Sequence, residues 1–210
     1  MNYKNLIFYL DETLVYTPLE ETRYLARKAF SEFGINLSDE EADYFWFSHK
    51  REDFIGEKGL DVETFWNVYR KYDTYEFRKP SLKLYEDAGI VQETKGNGCK
   101  TGIVTGAPIH IILLSTELIG RGNIDCYIRA QKTSGFEPKP DPEALLQCMK
   151  AIGAKGPETI YAGNGDEDVL VSRAAGVFDV IIERGEHDLM KETPSLRIKS
   201  LYELRDFLGL

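Results

Sequence analysis

Short runs of consecutive apolar residues mark where the chain is expected to form strands. The first run, at residues 6–10 (LIFYL), does not alternate with polar residues, which is typical of a parallel strand covered on both faces. Similar runs recur at residues 102–105, 159–162 and 177–182. Because helical patterns lie between the later runs, the sequence predicts a parallel sheet with helices on both faces and with the first strand in the middle.

Two polar signals predict where helices begin in the carboxyl-terminal half. Asp141 followed by Pro142 is typical of a helix start, because a carboxylate caps the first amides and proline fits the first helical position. The apolar residues that follow recur at helical spacing: Leu145, Cys148, Met149 and Ile152. Ser200 and Glu203 have the spacing of a capping box, which predicts a last helix ending near Gly209.

The stretch from residue 17 to residue 84 has helical patterns and no strand pattern. Capping-box sequences begin at Thr17 and at Ser38. Apolar residues recur at helical spacing and predict a buried helical core: Leu25, Ala29, Phe30, Phe33, Val62, Phe65, Trp66, Tyr69 and Tyr72. We therefore expect an all-helical insertion at residues 17–84 and an α/β core formed by residues 1–16 and 85–210.

Composition excludes several classes of function. The chain of 210 residues has 35 acidic and 26 basic side chains, for a net charge of −9, so no electrostatic footprint for nucleic acid or an anionic membrane is expected. Its apolar runs are far shorter than a membrane span. The three cysteines form no CxxC pair, which favours buried thiols in a reducing compartment. These features predict a soluble, cytoplasmic protein.

Four segments in fixed order carry the candidate chemistry. They are FYLDETL at residues 8–14, IVTG at 103–106, EPKPDPE at 137–143 and GNGDED at 163–168. Together they resemble the haloacid dehalogenase (HAD) superfamily, in its phosphoglycolate-phosphatase-like branch with a helical cap after the first strand. The resemblance implies a Rossmann-like parallel-sheet core with an inserted all-helical cap subdomain. It also implies phosphoric monoester hydrolysis of a small phosphorylated metabolite with Mg²⁺ as cofactor.

The resemblance assigns a role to each matched residue. In the family pattern Asp-x-Asp-Gly-Thr-Leu, the first Asp attacks phosphorus and the second is the general acid and base, a position that Asp11 takes here. Thr105 and Gly106 match the phosphate-binding motif, and Lys139 matches the lysine that neutralises nucleophile and phosphate. The implied metal ligands are the Asp11 backbone carbonyl, Asp168 and the residue at position 164.

Three matched positions depart from the family pattern. Tyr9 stands at the nucleophile position, Glu12 stands where the family has Gly, and Asn164 replaces a metal-binding Asp. A shifted frame with Asp11 as nucleophile lacks the Gly-Thr that must follow Thr13. A tyrosine phenol has an ordinary pKa of about 10, so it is neutral at pH 7 and a poor ligand for a hard cation. We therefore expect impaired hydrolysis and weak or absent Mg²⁺ binding.

Three functional hypotheses remain open at this point. The first is a catalytically degenerate phosphatase-like protein that binds phosphate or a phosphorylated metabolite through Thr105, Gly106 and Lys139. The second is an active phosphomonoester phosphatase in which Asp11 activates water directly. The third is an interaction or scaffold protein that uses the aromatic helices as a partner surface, including a possible homodimer. In all three, Asp168 is expected to pair with Lys139 rather than to bind metal.

Overall fold

The computed structural model describes residues 3–48, 50–185 and 191–210. The contacts within the chain divide it into two compact units. A core unit comprises Met1–Tyr16 and Leu84–Leu210, and a helical unit comprises Thr17–Lys83. Each unit has its own interior and is described by itself.

The core unit is built on a six-stranded parallel sheet. The strands of the described residues are β1 (Asn5–Phe8), β2 (Val15–Tyr16), β3 (Lys83–Leu84), β4 (Lys100–Thr105), β5 (Cys126–Arg129), β6 (Thr159–Gly163), β7 (Phe178–Ile182) and β8 (Leu196–Ile198). The order in the sheet is β5-β4-β1-β6-β7-β8, with every pair parallel. The two-residue strands β2 and β3 lie outside it.

The predicted sheet is confirmed, and its strands sit where buried apolar runs occur. Every residue of β1 is buried, and Phe8 pairs with Ile103 on one side and with Ala162 on the other. β1 therefore lies in the middle of the sheet, as expected. The strands β5 and β8 were not predicted, because they are short and lie at the two sheet edges, where most of their residues are partly or fully exposed.

The described residues also form ten α-helices. They are α1 (Leu19–Ser31), α2 (Asp39–Phe47), α3 (Arg51–Glu57), α4 (Val62–Tyr72), α5 (Tyr75–Ser81), α6 (Ile90–Gly96), α7 (Ile109–Ile119), α8 (Glu143–Ile152), α9 (Asp166–Ala175) and α10 (Leu201–Leu208). In α8 the Asp141 carboxylate accepts from the Glu143 amide at 2.9 Å, close to the predicted start. Gly209, with φ of 71°, ends α10 as predicted.

The helical unit has an aromatic interior, as the pattern predicts. Of the aromatic residues assigned to it, Phe30, Phe65 and Tyr69 are buried, and three others are only partly buried: Phe33, Trp66 and Tyr72. Phe30, Phe45 and Phe65 are at most 1% exposed, and their rings contact one another. The capping box at Ser38 and Glu41 is present. The one predicted at Thr17 is wrong: the Thr17 hydroxyl instead accepts from the buried Arg78 guanidinium at 2.6 Å.

Among the described residues, we find no helix with the length and apolar character that crossing a membrane requires.

Candidate functional site

The candidate residues follow three neighbouring strands at the ends from which the chain leaves the sheet. Tyr9 comes directly after β1, Thr105 is the last residue of β4, and Asn164 comes directly after β6. The Tyr9 amide donates to the Ala162 carbonyl at 2.8 Å, which extends the β1–β6 pairing by one residue. Ligands of open α/β sheets bind outside the carboxyl ends of the strands, so these residues occupy the expected place.

Lys139 lies between an aromatic ring and a carboxylate. Its ammonium nitrogen is 3.5 Å from the centroid of the Tyr9 ring and 2.5 Å from Asp168 Oδ1. The side chains of Lys139 and Asp168 are only 10% and 2% exposed. A desolvated cation over a ring gains about 2 kcal/mol or more. The predicted Lys139–Asp168 pair is confirmed, and the structure adds the Tyr9 ring as a second partner of the ammonium group.

Both carboxylate oxygens of Asp168 accept hydrogen bonds. Oδ1 accepts from Lys139 and from the Tyr161 hydroxyl at 3.1 Å, and Oδ2 accepts from the amides of Asn164 and Gly165 at 3.0 and 3.1 Å. The carboxylate also lies against the backbone of Gly163, where a Cβ would be 2.3 Å from Asp168 Cγ. Gly163 is therefore required for this close approach, because any side chain there would displace the carboxylate.

Tyr161 is a site residue that the sequence analysis missed. Its side chain is 1% exposed in the middle of β6, and its hydroxyl contacts the Val104 carbonyl at 3.2 Å as well as Asp168. Burial, and then the negative charge of Asp168, raises the pKa of Tyr161 well above its ordinary value, so the hydroxyl remains a neutral donor. Because Tyr161 lies in an apolar run, the pattern assigns it to a buried strand. The only signal in the sequence is that its hydroxyl, once buried, needs a hydrogen-bond partner.

The loop after β4 is held by one side chain from the end of β5 and one from the loop that follows β5. The Thr105 hydroxyl is fully buried and accepts from the Ala107 amide at 3.0 Å. Gln131 donates to the Gly106 carbonyl, and Arg129 donates to the Ala107 carbonyl at 3.1 Å. A hydroxyl that accepts one hydrogen bond still has its own hydrogen to donate, so Thr105 can serve an oxyanion in this position.

The turn after β1 contains a backbone conformation that usually requires glycine. Glu12 has φ of 53° and is 8% exposed, and this left-handed conformation costs a non-glycine residue about 1–2 kcal/mol. The adjacent carbonyl of Asp11 accepts from Asn164 Nδ2 at 3.3 Å. The turn therefore has a left-handed backbone conformation that favours glycine, at the position where the resemblance noted above places glycine.

The residues present do not fit Mg²⁺. This cation takes an octahedron of oxygen ligands and depends on carboxylates. Here Tyr9 presents a ring to Lys139, the Asn164 amide donates to the Asp11 carbonyl, and both oxygens of Asp168 are engaged by other donors. Within the described ranges, no three His, Cys, Asp or Glu side chains are grouped so that they could hold a metal ion.

Comparison with known families and proteins gives a consistent result. The family profile described as haloacid dehalogenase-like hydrolase matches residues 6–182. A pyrophosphatase PpaX from Halalkalibacterium halodurans is 28% identical over 156 residues, covering 71% of this chain and 70% of its own length. A second PpaX, from Anoxybacillus flavithermus, is 25% identical over 228 residues and is covered to 99%. A phosphoglycolate phosphatase from Pseudomonas syringae is 25% identical over 156 residues, but this chain spans only 54% of its length.

Solved structures share the fold at low sequence identity. A HAD family hydrolase from Deinococcus radiodurans, with bound phosphate and sodium, superposes with a TM-score of 0.74 at 15% identity, covering 99% of this chain and 96% of that one. A haloacid dehalogenase-like family protein from Streptococcus pneumoniae has a TM-score of 0.78 at 16% identity, with 99% of each chain covered. At these identities the likeness shows the fold alone.

Proposed function

The chain belongs to the haloacid dehalogenase-like hydrolase family, and we propose that it is a phosphatase-like member with severely impaired hydrolysis. In this proposal it binds the phosphate group of a small phosphorylated metabolite. The observation that carries the proposal is the position of the Lys139 ammonium between the Tyr9 ring and Asp168. The cation of the phosphate-binding set is in place, whereas the group that should attack phosphorus is an aromatic ring.

Loss of hydrolysis follows from the chemistry at position 9. Phosphoryl transfer through a covalent intermediate needs an ionised nucleophile, and the Tyr9 phenol is neutral near pH 7. In a well-studied protease, removing the nucleophile costs about 10⁶ in turnover. General acid–base catalysis by Asp11 supplies roughly 10²–10⁴. The remaining acid therefore does not compensate for the missing nucleophile, and the described part of the chain holds no group of three His, Cys, Asp or Glu side chains that could bind a metal to assist it.

Retention of an anion site follows from the balance of charge. The two altered positions, Tyr9 and Asn164, are neutral where the family pattern has carboxylates, so two negative charges are removed together. A divalent cation would have offset those same two charges. The charged side chains at the matched positions are Asp11, Glu12, Lys139 and Asp168, so an arriving phosphate meets one more negative charge, that of Glu12, than in a metal-loaded family site. Binding is still expected without Mg²⁺, because the two carboxylates whose charge the cation would offset are absent.

The donors for phosphate come from two loops. Thr105 contributes its hydroxyl hydrogen at the end of β4, and Lys139 contributes the ammonium group of a side chain that is 10% exposed. Two compounds taken from the names of the relatives, pyrophosphate and phosphoglycolate, are suitable probes in addition to inorganic phosphate. We propose that one phosphate group is recognised and that the rest of the ligand is bound elsewhere.

Calorimetric titration of the full chain with inorganic phosphate, with and without Mg²⁺, tests binding. We expect similar affinity in both buffers, and a loss of at least tenfold in Lys139→Met and Thr105→Val. Lys132→Met is the matched control, because Lys132 precedes the same loop and its side chain is 73% exposed. Equal losses in the control, or binding that requires Mg²⁺, would contradict the proposal.

A hydrolysis assay on the same three phosphate compounds separates the alternatives. We expect no turnover above that of the Asp11→Asn variant. Turnover by the natural chain that Asp11→Asn abolishes would favour an active phosphatase in which Asp11 activates water. If neither turnover nor phosphate binding is found, an interaction protein built on this scaffold becomes the better hypothesis.

A further inference from the structure

Two cysteines that play no part in the proposed function lie beside each other in the core unit. Cys126 is half-buried in β5, the edge strand of the sheet, and Cys148 is fully buried in α8. Gly102 of β4 pairs directly with Cys126, and a Cβ on this glycine would be 2.6 Å from the Cys148 sulfur. The Cys148 sulfur therefore occupies the space over Gly102, next to the Cys126 side chain.

The environment makes the two thiols unequal. They form a hydrogen bond that lowers the pKa of Cys126, against a smaller opposing effect of burial, and raises the pKa of Cys148 together with burial. The thiolate is the reactive form of cysteine. Cys126, the partly exposed member of the pair, is therefore the nucleophile, and Cys148, which is completely buried, is its partner.

We propose that Cys126 and Cys148 form a reversible two-thiol oxidation site whose co-substrate is a peroxide. The Cys126 thiolate attacks one peroxide oxygen, the O–O bond breaks, and the second oxygen leaves as water or an alcohol after taking up a proton. The resulting sulfenic acid is attacked by the Cys148 sulfur. A sulfur–sulfur bond forms, and the hydroxyl group leaves as water with the Cys148 proton. Each thiol is oxidised by one electron, and the peroxide is reduced by two electrons.

The positions of the two residues suit this sequence of steps. Sulfenic acids persist or over-oxidise where no second thiol is near, whereas here the second sulfur is already in hydrogen-bond contact. A disulfide needs a sulfur–sulfur bond of about 2.05 Å, so the two side chains must approach further when it forms. The covalent ring that closes contains residues 126–148 and therefore Lys139. Cytosolic disulfides are usually transient ones of this kind.

Treatment of the native full chain with hydrogen peroxide, followed by non-reducing mass spectrometry, tests the proposal. We expect the mass to fall by that of two hydrogen atoms, two of the three free cysteines to become unreactive to thiol reagents, and one peptide pair to join Cys126 to Cys148. Dithiothreitol should restore all three thiols. The variant Cys99→Ala is the matched control, and it should still form the cross-link.

Two further variants identify the order of the steps. Cys148→Ala should accumulate a sulfenic acid on Cys126 that dimedone traps, and Cys126→Ala should leave Cys148 unmodified. The proposal is overturned if the natural chain over-oxidises Cys126 without cross-linking, or if the cross-link involves Cys99 or joins two chains. Because mapping of the natural chain decides between these outcomes, the test stands even where a variant fails to fold.

Discussion

At the scale of single residues, the Tyr9 ring explains how the Lys139 ammonium keeps a partner although position 9 carries no carboxylate. The ammonium is 3.5 Å from the Tyr9 ring centroid and 2.5 Å from Asp168. A carboxylate at position 9 would pair with this ammonium through its charge, whereas the ring attracts it through the negative face of its π system. The cation therefore has two partners in this chain, the ring and the carboxylate.

Replacing Tyr9 tests whether its ring holds Lys139. Tyr9→Leu removes the π system, and we expect it to reduce the free energy of unfolding by about 2 kcal/mol. Tyr9→Phe keeps the ring and should lose less than half as much. Urea denaturation monitored by circular dichroism measures both values. If Phe is as harmful as Leu, the hydroxyl rather than the ring holds this part of the structure.

Gly163 gives a second test at this scale. Gly163→Ala places a Cβ 2.3 Å from Asp168 Cγ, and overpacking of this kind costs about 1–3 kcal/mol. We expect a lower urea midpoint and a weaker phosphate titration, because Asp168 positions Lys139. Gly96→Ala, at the end of α6, is the control, since no atom lies within 4 Å of its Cβ position. Equal stability of the two variants would show that Asp168 moves aside easily.

How far the site could be predicted from the sequence depends on the kind of residue. The matched positions Tyr9, Thr105, Lys139 and Asp168 were identifiable through the resemblance to the ordered motifs of the family, and Tyr9, Lys139 and Asp168 do lie together. The second role of the Tyr9 ring and the role of Tyr161 were not identifiable, since both depend on distances across strands that no linear pattern contains. A buried tyrosine in a strand is indistinguishable from core until its hydroxyl partner is known.

At the scale of secondary-structure elements, the start of α10 is capped partly by Asp87, a residue that is distant in sequence. The capping box expected at Ser200 and Glu203 is not formed, because the Glu203 carboxylate accepts from the Lys199 amide instead. The Ser200 hydroxyl still caps α10 by accepting from the Tyr202 amide at 3.2 Å. Asp87 adds a second cap, because its carboxylate accepts from the Leu201 amide at 2.8 Å and from the Ser200 hydroxyl at 2.9 Å. An acceptor that is distant in sequence is invisible to a local motif.

The same Asp87 should contribute a pH-dependent stability. Burial works to raise the pKa of Asp87, but the hydrogen bonds from Arg184 and the Leu201 amide outweigh it, and the pKa is lowered. For a depressed carboxyl pKa, the stabilisation is present above the ordinary value of about 4 and is lost as pH falls through the folded-state value. Arg184, whose side chain is 11% exposed, depends on this charge.

We therefore expect Asp87→Asn to lower the free energy of unfolding by about 3 kcal/mol at pH 7, since it leaves Arg184 buried without its counter-charge. The difference between variant and natural chain should shrink as the pH is lowered below 4, where Asp87 becomes protonated. Urea denaturation over a series of pH values measures this. A difference that stays constant down to pH 2 would mean that shape, not charge, makes Asp87 important.

Element prediction succeeded where burial is complete and failed where it is partial. β1, β4, β6 and β7 are apolar runs in the sheet interior and were located within a few residues. The edge strands β5 and β8 have half-exposed patterns, and the helix α7 gave no distinct capping signal. Amphipathic helices of the helical unit were predictable because their buried faces repeat every three or four residues.

At the scale of the whole molecule, the residues that hold the fold together are separate from those that have changed chemistry. Leu6, Ile7 and Phe8 are completely buried in β1, whereas the altered positions lie just past the strand ends. Burial of apolar surface drives folding, and it does not depend on which polar groups follow each strand. The chain can therefore keep the family fold while its reactive groups are replaced.

That separation implies that activity can be restored. Tyr9→Asp combined with Asn164→Asp returns both carboxylates, and we expect Mg²⁺ binding and measurable hydrolysis of p-nitrophenyl phosphate. Each single variant should be inactive, because a nucleophile without its cation and a cation without a nucleophile are both incomplete. The two effects should be strongly non-additive, as for any residues that act as one unit. Calorimetry with Mg²⁺ and the hydrolysis assay give separate measurements of the two steps.

Glu12 is the main structural obstacle to this restoration. Its φ of 53° suits glycine, and its buried side chain occupies the turn that leads away from the new nucleophile. Adding Glu12→Gly should therefore raise the activity of the double variant, whereas Glu12→Ala keeps the backbone penalty and should help less. A triple variant that folds and binds Mg²⁺ but hydrolyses no ester would show that residues beyond the matched motifs have diverged too. In that case an interaction protein would be favoured over an impaired phosphatase, because restoring the three altered positions would not be enough to restore hydrolysis.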